Sequence, residues 1–290
     1  MKITVFTPTF NRAYIIKQLY HSLQLQTSTN FEWLVVDDGS SDNTAKLFSS
    51  FQQEDNPFPI RYYYQENSGK CSAINRGLEL AEGELFFTVD SDDYLTPDAL
   101  EKILHWEKEL PKDQKYCGLA GNLGTTPKIT TNTLFEGNSF DGTALDRYHS
   151  VDGERAMVFY TDIHRKYLYP IFQGEKFITE AVAWNRMAAD GYKMRFYNDI
   201  IWIYEYKADG LTKAGSSLFI NNPQGFGLWL REKAKFQKAS FGEIIKMYYT
   251  FTCDLYSQLD SHRIANYIGA PHVIIALFYT SRKLINKLRK

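Results

Sequence analysis

Cysteine is scarce in this chain, and the three present, Cys71, Cys117 and Cys253, form no C-x-x-C pair. An odd number without close spacing argues against a disulfide framework or a zinc ribbon and fits a reducing compartment. Net charge is nearly absent. The 33 Lys and Arg against 34 Asp and Glu leave −1 over 290 residues, which gives no reason to expect nucleic acid as a partner. Long apolar runs are missing as well. The N-terminal MKITVFTPTFNR is apolar only briefly and stops at Pro8, so it does not read as a signal peptide. No stretch reaches the ~18 apolar residues that span a bilayer. The longest candidate, YIGAPHVIIALFYT, contains Pro271 and His272. These absences predict a soluble or membrane-peripheral protein of the cytoplasm. Glycine is missing where two nucleotide signatures need it. TPTFNR stands where a dinucleotide fold requires G-x-G-x-x-G. In ENSGKCS the first glycine of a P-loop falls on Tyr64, and Cys71 replaces the hydroxyl residue.

What is present is an ordinary globular composition, 44% hydrophobic and 23% charged, long enough for one large domain or a domain with an appendage. The first half alternates between two periods. Short β-rich runs at Ile3–Thr7, Glu32–Val36, Ile60–Tyr64 and Leu85–Val89 are separated by helical spacings over Arg12–Gln26, Asn43–Gln53 and Lys70–Ala81. Ser41 or Asp42 is a candidate cap for the second helix, Gly83 ends the third, and Thr96-Pro97 opens another over Asp98–Leu110. Four βα units in a row predict a parallel sheet with helices on both faces. Residues 118–160 read as short strands and loops. Lys176–Asp190 reads as a helix, Lys193–Tyr206 as strand-rich, and the chain from about Gln224 as helical.

In a parallel α/β sheet, ligands bind at the carboxyl ends of the strands. Those ends here read TPTFNR, DDGSSD, QENSGK and DSDD, all polar and all on one edge. DDGSSD alone is equally a turn with a helix cap, since these are turn residues. DSDD is less easily a turn, because three acids at one strand end repel one another without a cation. A divalent metal resolves that repulsion, and magnesium takes one or two carboxylates while filling its shell with phosphates and water. Lys70 and Arg12 near the same edge are candidate phosphate or base contacts. Either alone is equally a solvated cation at a helix start.

The ordered set TPTFNR, VVDDGSSD, NSGKCSAINRGL and FFTVDSDD resembles the family 2 glycosyltransferases of the GT-A fold, in order and in spacing, across residues 3 to about 100. The stretch 172–212 resembles the acceptor-side half of a bacterial, polysaccharide-type subset of that family. The resemblance implies an α/β GT-A (nucleotide-diphospho-sugar transferase) fold with a mostly parallel central sheet. It implies a catalytic domain over 1–215, split into a nucleotide-binding half, 1–110, and an acceptor half, 111–215. A helical C-terminal extension would follow over 216–290. It places Thr7, Pro8, Thr9, Asn11 and Arg12 in the nucleotide pocket and Asp37 and Asp38 against the base. Asn67, Gly69, Lys70, Asn75 and Ser91 complete the donor site. Asp90 corresponds to a ribose or metal contact and Asp92 to the metal ligand, Mn2+ or Mg2+.

The implied reaction is inverting transfer of a sugar from a nucleotide diphosphate, a UDP-sugar in most relatives, to a saccharide or lipid-linked saccharide in cell-surface polysaccharide synthesis. Relatives carry a Glu-Asp pair with the Asp six residues before a helical Arg. Counting back from Arg186 reaches Glu180, and the pair here reads Thr179-Glu180. Glu180 is therefore the expected base. Glu175 competes, and either is alternatively a carboxylate favoured at a helix N-terminus. Trp184, Trp202 and Tyr204 are candidate acceptor platforms or core residues. Asp209, in EYKADGLT, falls in a loop that closes over the diphosphate in relatives.

After Asp260 there are no acids, while Arg263, Arg282, Lys283, Lys287, Arg289 and Lys290 are basic and apolar residues recur at helical spacing. Residues 264–290 thus read as a basic amphipathic segment for an anionic membrane surface, peripheral on the inner face of the cell membrane. The alternative is a terminal helix packed on the catalytic domain. Two other functions are weighed. A sugar-nucleotide pyrophosphorylase-like nucleotidyltransferase would have a Gly-rich first loop, which TPTFNR lacks. A binding protein without chemistry would have lost Asp90, Asp92 or a base, and all are present.

Overall fold

The computed structural model describes residues 1–130, 132–146, 153–205 and 215–288. They form two compact units, Met1–Tyr169 with Arg186–Ala208, and Pro170–Asn185 with Asp209–Lys290.

The first unit is built on a nine-stranded sheet. Its parallel half comprises β1 (Ile3–Thr9), β2 (Phe31–Asp37), β3 (Ile60–Tyr64) and β4 (Leu85–Thr88) in the order β3-β2-β1-β4. β1 and β2 are buried along their whole length, as their apolar runs require. Helices α1 (Lys17–Gln24), α2 (Thr44–Phe51) and α3 (Lys70–Leu80) make the crossovers. Val5, Trp33, Val35 and Phe87 join Ile16, Leu19, Phe48 and Phe51 in one core beneath α1 and α2. Phe6 and Phe86 stack on the opposite face, centroids 5.0 Å apart. There α3 comes so close that a Cβ on Gly77 would lie 2.2 Å from the Phe6 ring. Successive strands run outward from β1 to β3, and the chain then crosses back to place β4 on the other side of β1. The strand order therefore reverses at β1 and β4, which creates a crevice at their carboxyl ends.

The other half of the sheet is mixed. A two-residue strand β5 (Tyr94–Leu95) precedes α4 (Ala99–Lys108) and pairs antiparallel with β9 (Lys193–Ile203). Strand β6 (Tyr116–Gly124) runs parallel to β9, β7 (Ser139–Gly142) antiparallel to it, and β8 (Arg155–Tyr160) antiparallel to both β4 and β6. A short helix, α5 (Thr161–His164), follows β8.

The helix expected from Lys176 to Asp190 is shorter than its apolar spacing suggested. Only Ala181–Ala189 (α6) is helical. The preceding residues are drawn into other bonds, the N–H groups of Lys176 and Phe177 donating to Asn222 Oδ1 at 2.9 and 3.1 Å. The second unit continues with α7 (Ser216–Ile220), α8 (Pro223–Phe236), α9 (Phe241–Leu255), α10 (Ser261–Ile268) and α11 (His272–Leu288). Phe251, Leu255, Ile264, Ala265, Ile268 and Ile275 form its core.

Candidate active site

The crevice is lined by the loops after β1, β2 and β3, the start of α3, and the turn after β4. Asn11 ties the first two loops together. It adopts a left-handed backbone, φ 54°, a conformation Asn tolerates better than most residues. Its Oδ1 accepts the N–H of Ser41 at 2.8 Å, and its own N–H donates to Ser40 Oγ at 2.7 Å. Asp42 reinforces the junction by accepting from Ala13 N–H and from Thr44 N–H.

Asp38 organises the third loop. One carboxylate oxygen accepts from Gln65 Nε2 at 2.8 Å and Ser68 N–H at 2.9 Å, and the other from Gly69 N–H at 2.8 Å. Asn67 donates to the Asp38 carbonyl at 2.8 Å. Gly39, at φ 90°, permits this closure, because a Cβ there would lie 2.8 Å from the Asn67 nitrogen. Asp37 is fully buried. It accepts from Tyr62 Oη at 2.5 Å and from Ser40 N–H at 2.7 Å, and burial, then that carboxylate, raises the Tyr62 hydroxyl pKa.

Several of the expected donor-site residues also have partners within the protein. Thr7 is buried and accepts from Trp33 Nε1 at 3.0 Å, so its side chain serves the core. Asn75 exchanges two hydrogen bonds with the Tyr169 backbone, at 2.8 and 2.9 Å, and acts as a clamp between α3 and that segment. Asp37 and Asp38 hold the pocket wall from inside. Pro8 is buried in β1 beside Thr9. The buried hydroxyl of Thr9, at the strand end, has no hydrogen-bond partner among the described residues.

Charge concentrates where the strand order reverses. Lys70 Nζ, at the first position of α3, lies 2.7 Å from Asp90 Oδ1. Arg12 lies 3.9 Å from Asp92 Oδ2 and over the Tyr14 ring. Ser91, between the two acids, is buried. Burial, and then the neighbouring Asp90 charge, push the Asp92 carboxyl up and the Asp93 carboxyl up to about 8. Asp93 points away from solvent and accepts from Trp202 Nε1 at 2.8 Å. Trp202 also meets Phe87 edge to face, so it is a core residue and not a sugar platform. Tyr204 packs on the same core.

This residue set fits a divalent cation. The Asp92 carboxylate is partly desolvated and repelled by Asp90 beside it, which a cation between the two relieves. Among the described residues no three His, Cys, Asp or Glu side chains converge as a ready cage. Asp90 and Asp92 would be the ligands, which suits an ion that draws the rest of its shell from phosphate and water.

Glu175 and Glu180 belong to the second unit. Glu175 accepts the N–H groups of Gln224 and Gly225 at 2.7 and 2.9 Å, capping the first turn of α8. That occupation gives Glu175 a structural role at the start of α8. Glu180 is half-buried immediately before α6. Asp209 and most of its loop, 206–212, lie outside the described residues. The sequence reading also passed over Phe10 and Tyr14, aromatics beside Arg12 that are 47% and 61% exposed. Their signal was their place directly after a strand end, where a large apolar surface in water is unusual.

Residues 4–173 match the family described as Glycosyl transferase family 2. A Haemophilus influenzae protein described as an uncharacterized glycosyltransferase is 30% identical over 147 residues, 48% of this chain and 58% of its own. The putative glycosyltransferase EpsH of Bacillus subtilis is 25% identical over 185 residues, 64% of this chain and 46% of its own. This chain thus spans about half the length of these relatives. Among solved structures, S. aureus TarS 1-349 in complex with UDP-GlcNAc superposes with a TM-score of 0.62 at 18% identity, covering 99% of this chain and 92% of that one. The mannosyltransferase PcManGT from Pyrobaculum calidifontis, in complex with GDP-Man and Mn2+, gives 0.57 at 18%, covering 98% and 80%. The mixed α/β sheet with C-terminal helices is the GT-A architecture of these neighbours.

Proposed function

The chain belongs to glycosyl transferase family 2, and from that premise we propose that it transfers a sugar, with inversion, from a nucleotide diphosphate to a saccharide hydroxyl. The observation that carries the reading is the charge arrangement at the β1–β4 crevice, Lys70 on Asp90 and Arg12 beside Asp92. That grouping suits a diphosphate. Lys70 and Arg12 offer positive charge to its oxygens, and the N-terminus of α3 adds partial positive charge. A divalent ion held by Asp90 and Asp92 would stabilise the charge that develops on the leaving diphosphate. No acid need then protonate the leaving group.

Glu180 is the base in this reading and takes the proton of the acceptor hydroxyl. The donor is a UDP-sugar in this reading, supported by the TarS complex with UDP-GlcNAc. The acceptor is a lipid-linked saccharide in a surface polysaccharide. Support for that comes from a Bacillus subtilis relative described as a putative teichuronic acid biosynthesis glycosyltransferase, 35% identical over 107 residues. The cytoplasm is its proposed compartment, consistent with three free cysteines. Among the described residues no helix is long and apolar enough to cross a membrane.

The test is UDP binding by calorimetry with Mn2+ and with EDTA, beside a UDP-release assay over candidate donors. UDP should bind well only with the metal. Asp92→Asn should abolish turnover and weaken the metal-dependent binding. Glu180→Gln should lower kcat by about 10²–10⁴ while UDP binding stays nearly unchanged. Binding indifferent to EDTA, or a preference for nucleoside triphosphate, would overturn the reading in favour of a nucleotidyltransferase.

A further inference from the structure

Helix α11 is apolar on two opposite faces, and only one of them is used. Ile275 is fully buried in the core of the second unit, Tyr279 packs against that core, and Phe278 meets Tyr249 edge to face at 5.4 Å. Further along, Asn286 bonds Tyr256 Oη and Arg282 lies over the Tyr256 ring. This inner face accounts for the docking of the helix. At 100° per residue, Val273, Leu277, Leu284 and Leu288 fall within about 60° of one another on the outer face. They are 71%, 66%, 60% and 80% exposed. A terminal helix that merely packed on its neighbours would carry polar residues there.

We propose that this outer face is a docking surface for an anionic phospholipid bilayer. The choice of occupant rests on charge. Lys283 and Lys287 lie one behind the other along the edge of the apolar stripe, both exposed. The sequence from Ser261 onward contains no Asp or Glu and also holds Arg263 and Arg282. A stripe of aliphatic side chains bordered by cations, with no acid on its helix, matches an interface of acyl chains beneath anionic headgroups. A protein partner of ordinary surface composition would not require the absence of acids. The helix would lie in the plane of the interface with its inner face still packed on α9 and α10. The inference rests on the second unit alone and is independent of the catalytic reading.

The experiment is flotation of the full chain with vesicles of phosphatidylcholine alone and of phosphatidylcholine mixed with phosphatidylglycerol. The protein should float with the anionic vesicles and remain free with the neutral ones, and high salt should release most of it. Leu277→Glu/Leu284→Glu should abolish flotation, and Lys283→Glu/Lys287→Glu should reduce it at least several-fold. Both variants should bind UDP as the parent does, and Leu277→Glu/Leu284→Glu should also melt as the parent does, since those two leucines are exposed while Lys283 lies over the Tyr279 ring at the edge of the core. Failure of the parent to float with anionic vesicles would overturn the proposal, as would unchanged flotation of the double Glu variant. So would light scattering that finds a dimer of the parent which Leu277→Glu/Leu284→Glu converts to monomer, because the face would then belong to a second copy.

Discussion

Asp38 binds the loops of the candidate site to one another. Its carboxylate holds three donors from the loop that ends at Gly69. Removing it leaves the buried Gly69 N–H, the part-buried Ser68 N–H and one side-chain amide without an acceptor, a cost of about 1–3 kcal/mol. Asp38→Ala should therefore lower the melting temperature and weaken UDP binding together. A side chain that only contacted the base would weaken binding and leave the melt unchanged, and parallel calorimetry and thermal unfolding distinguish the two. Glu175 and Asn75 teach the same lesson. Both stand where the family resemblance puts functional residues, and both are occupied by backbone partners that lie 49 and 94 residues away in the chain. No local pattern announces such a partner.

At the scale of elements, the parallel half was readable because its signals are local. An apolar run of strand length, a turn, and a helical period each depend on a few neighbouring residues. Strand β3 falls at Ile60–Tyr64, where the periodicity put it. The contact between α3 and β1 depended on tertiary approach. Gly77 sits in the middle of α3, where alanine would favour the helix by roughly 0.5–1 kcal/mol. Its Cβ, however, would enter the Phe6 ring. Overpacking of this kind costs about 1–3 kcal/mol, so Gly77→Ala should destabilise the protein in urea. Adding Phe6→Leu should recover much of the loss. If Gly77→Ala raises stability by itself, the close approach of α3 to β1 is wrong.

At the scale of the whole molecule, stability should depend on one histidine that takes no part in the site. His164 is buried between Phe86, Phe159 and Tyr169, and burial lowers its pKa from 6.5 to about 3. The folded protein thus keeps it neutral over a range in which the unfolded chain protonates it. Above pH 6.5 neither state carries the proton and no penalty arises. Between pH 6.5 and about 3 the unfolded state binds the extra proton, so stability falls as pH falls. His164→Leu should remove about one proton from the pH slope of unfolding free energy in that window. Denaturant melts at several pH values measure it, and an unchanged slope would contradict the burial.

The sequence by itself determined the alternation of strands and helices in the first half, the polar character of four strand ends, and the acid cluster Asp90, Asp92 and Asp93. These follow from residue type and near spacing, which a chain carries whether folded or not. Only the tertiary structure decided which polar groups find partners within the protein. It turned Thr7, Asp37 and Asn75 inward, gave Glu175 to the first turn of α8, and set Asp93 against Trp202. The same packing decided that one apolar face of α11 is covered and the other is not. Burial and hydrogen bonding at these positions depend on segments distant in sequence, and their partners exist only once the chain has closed.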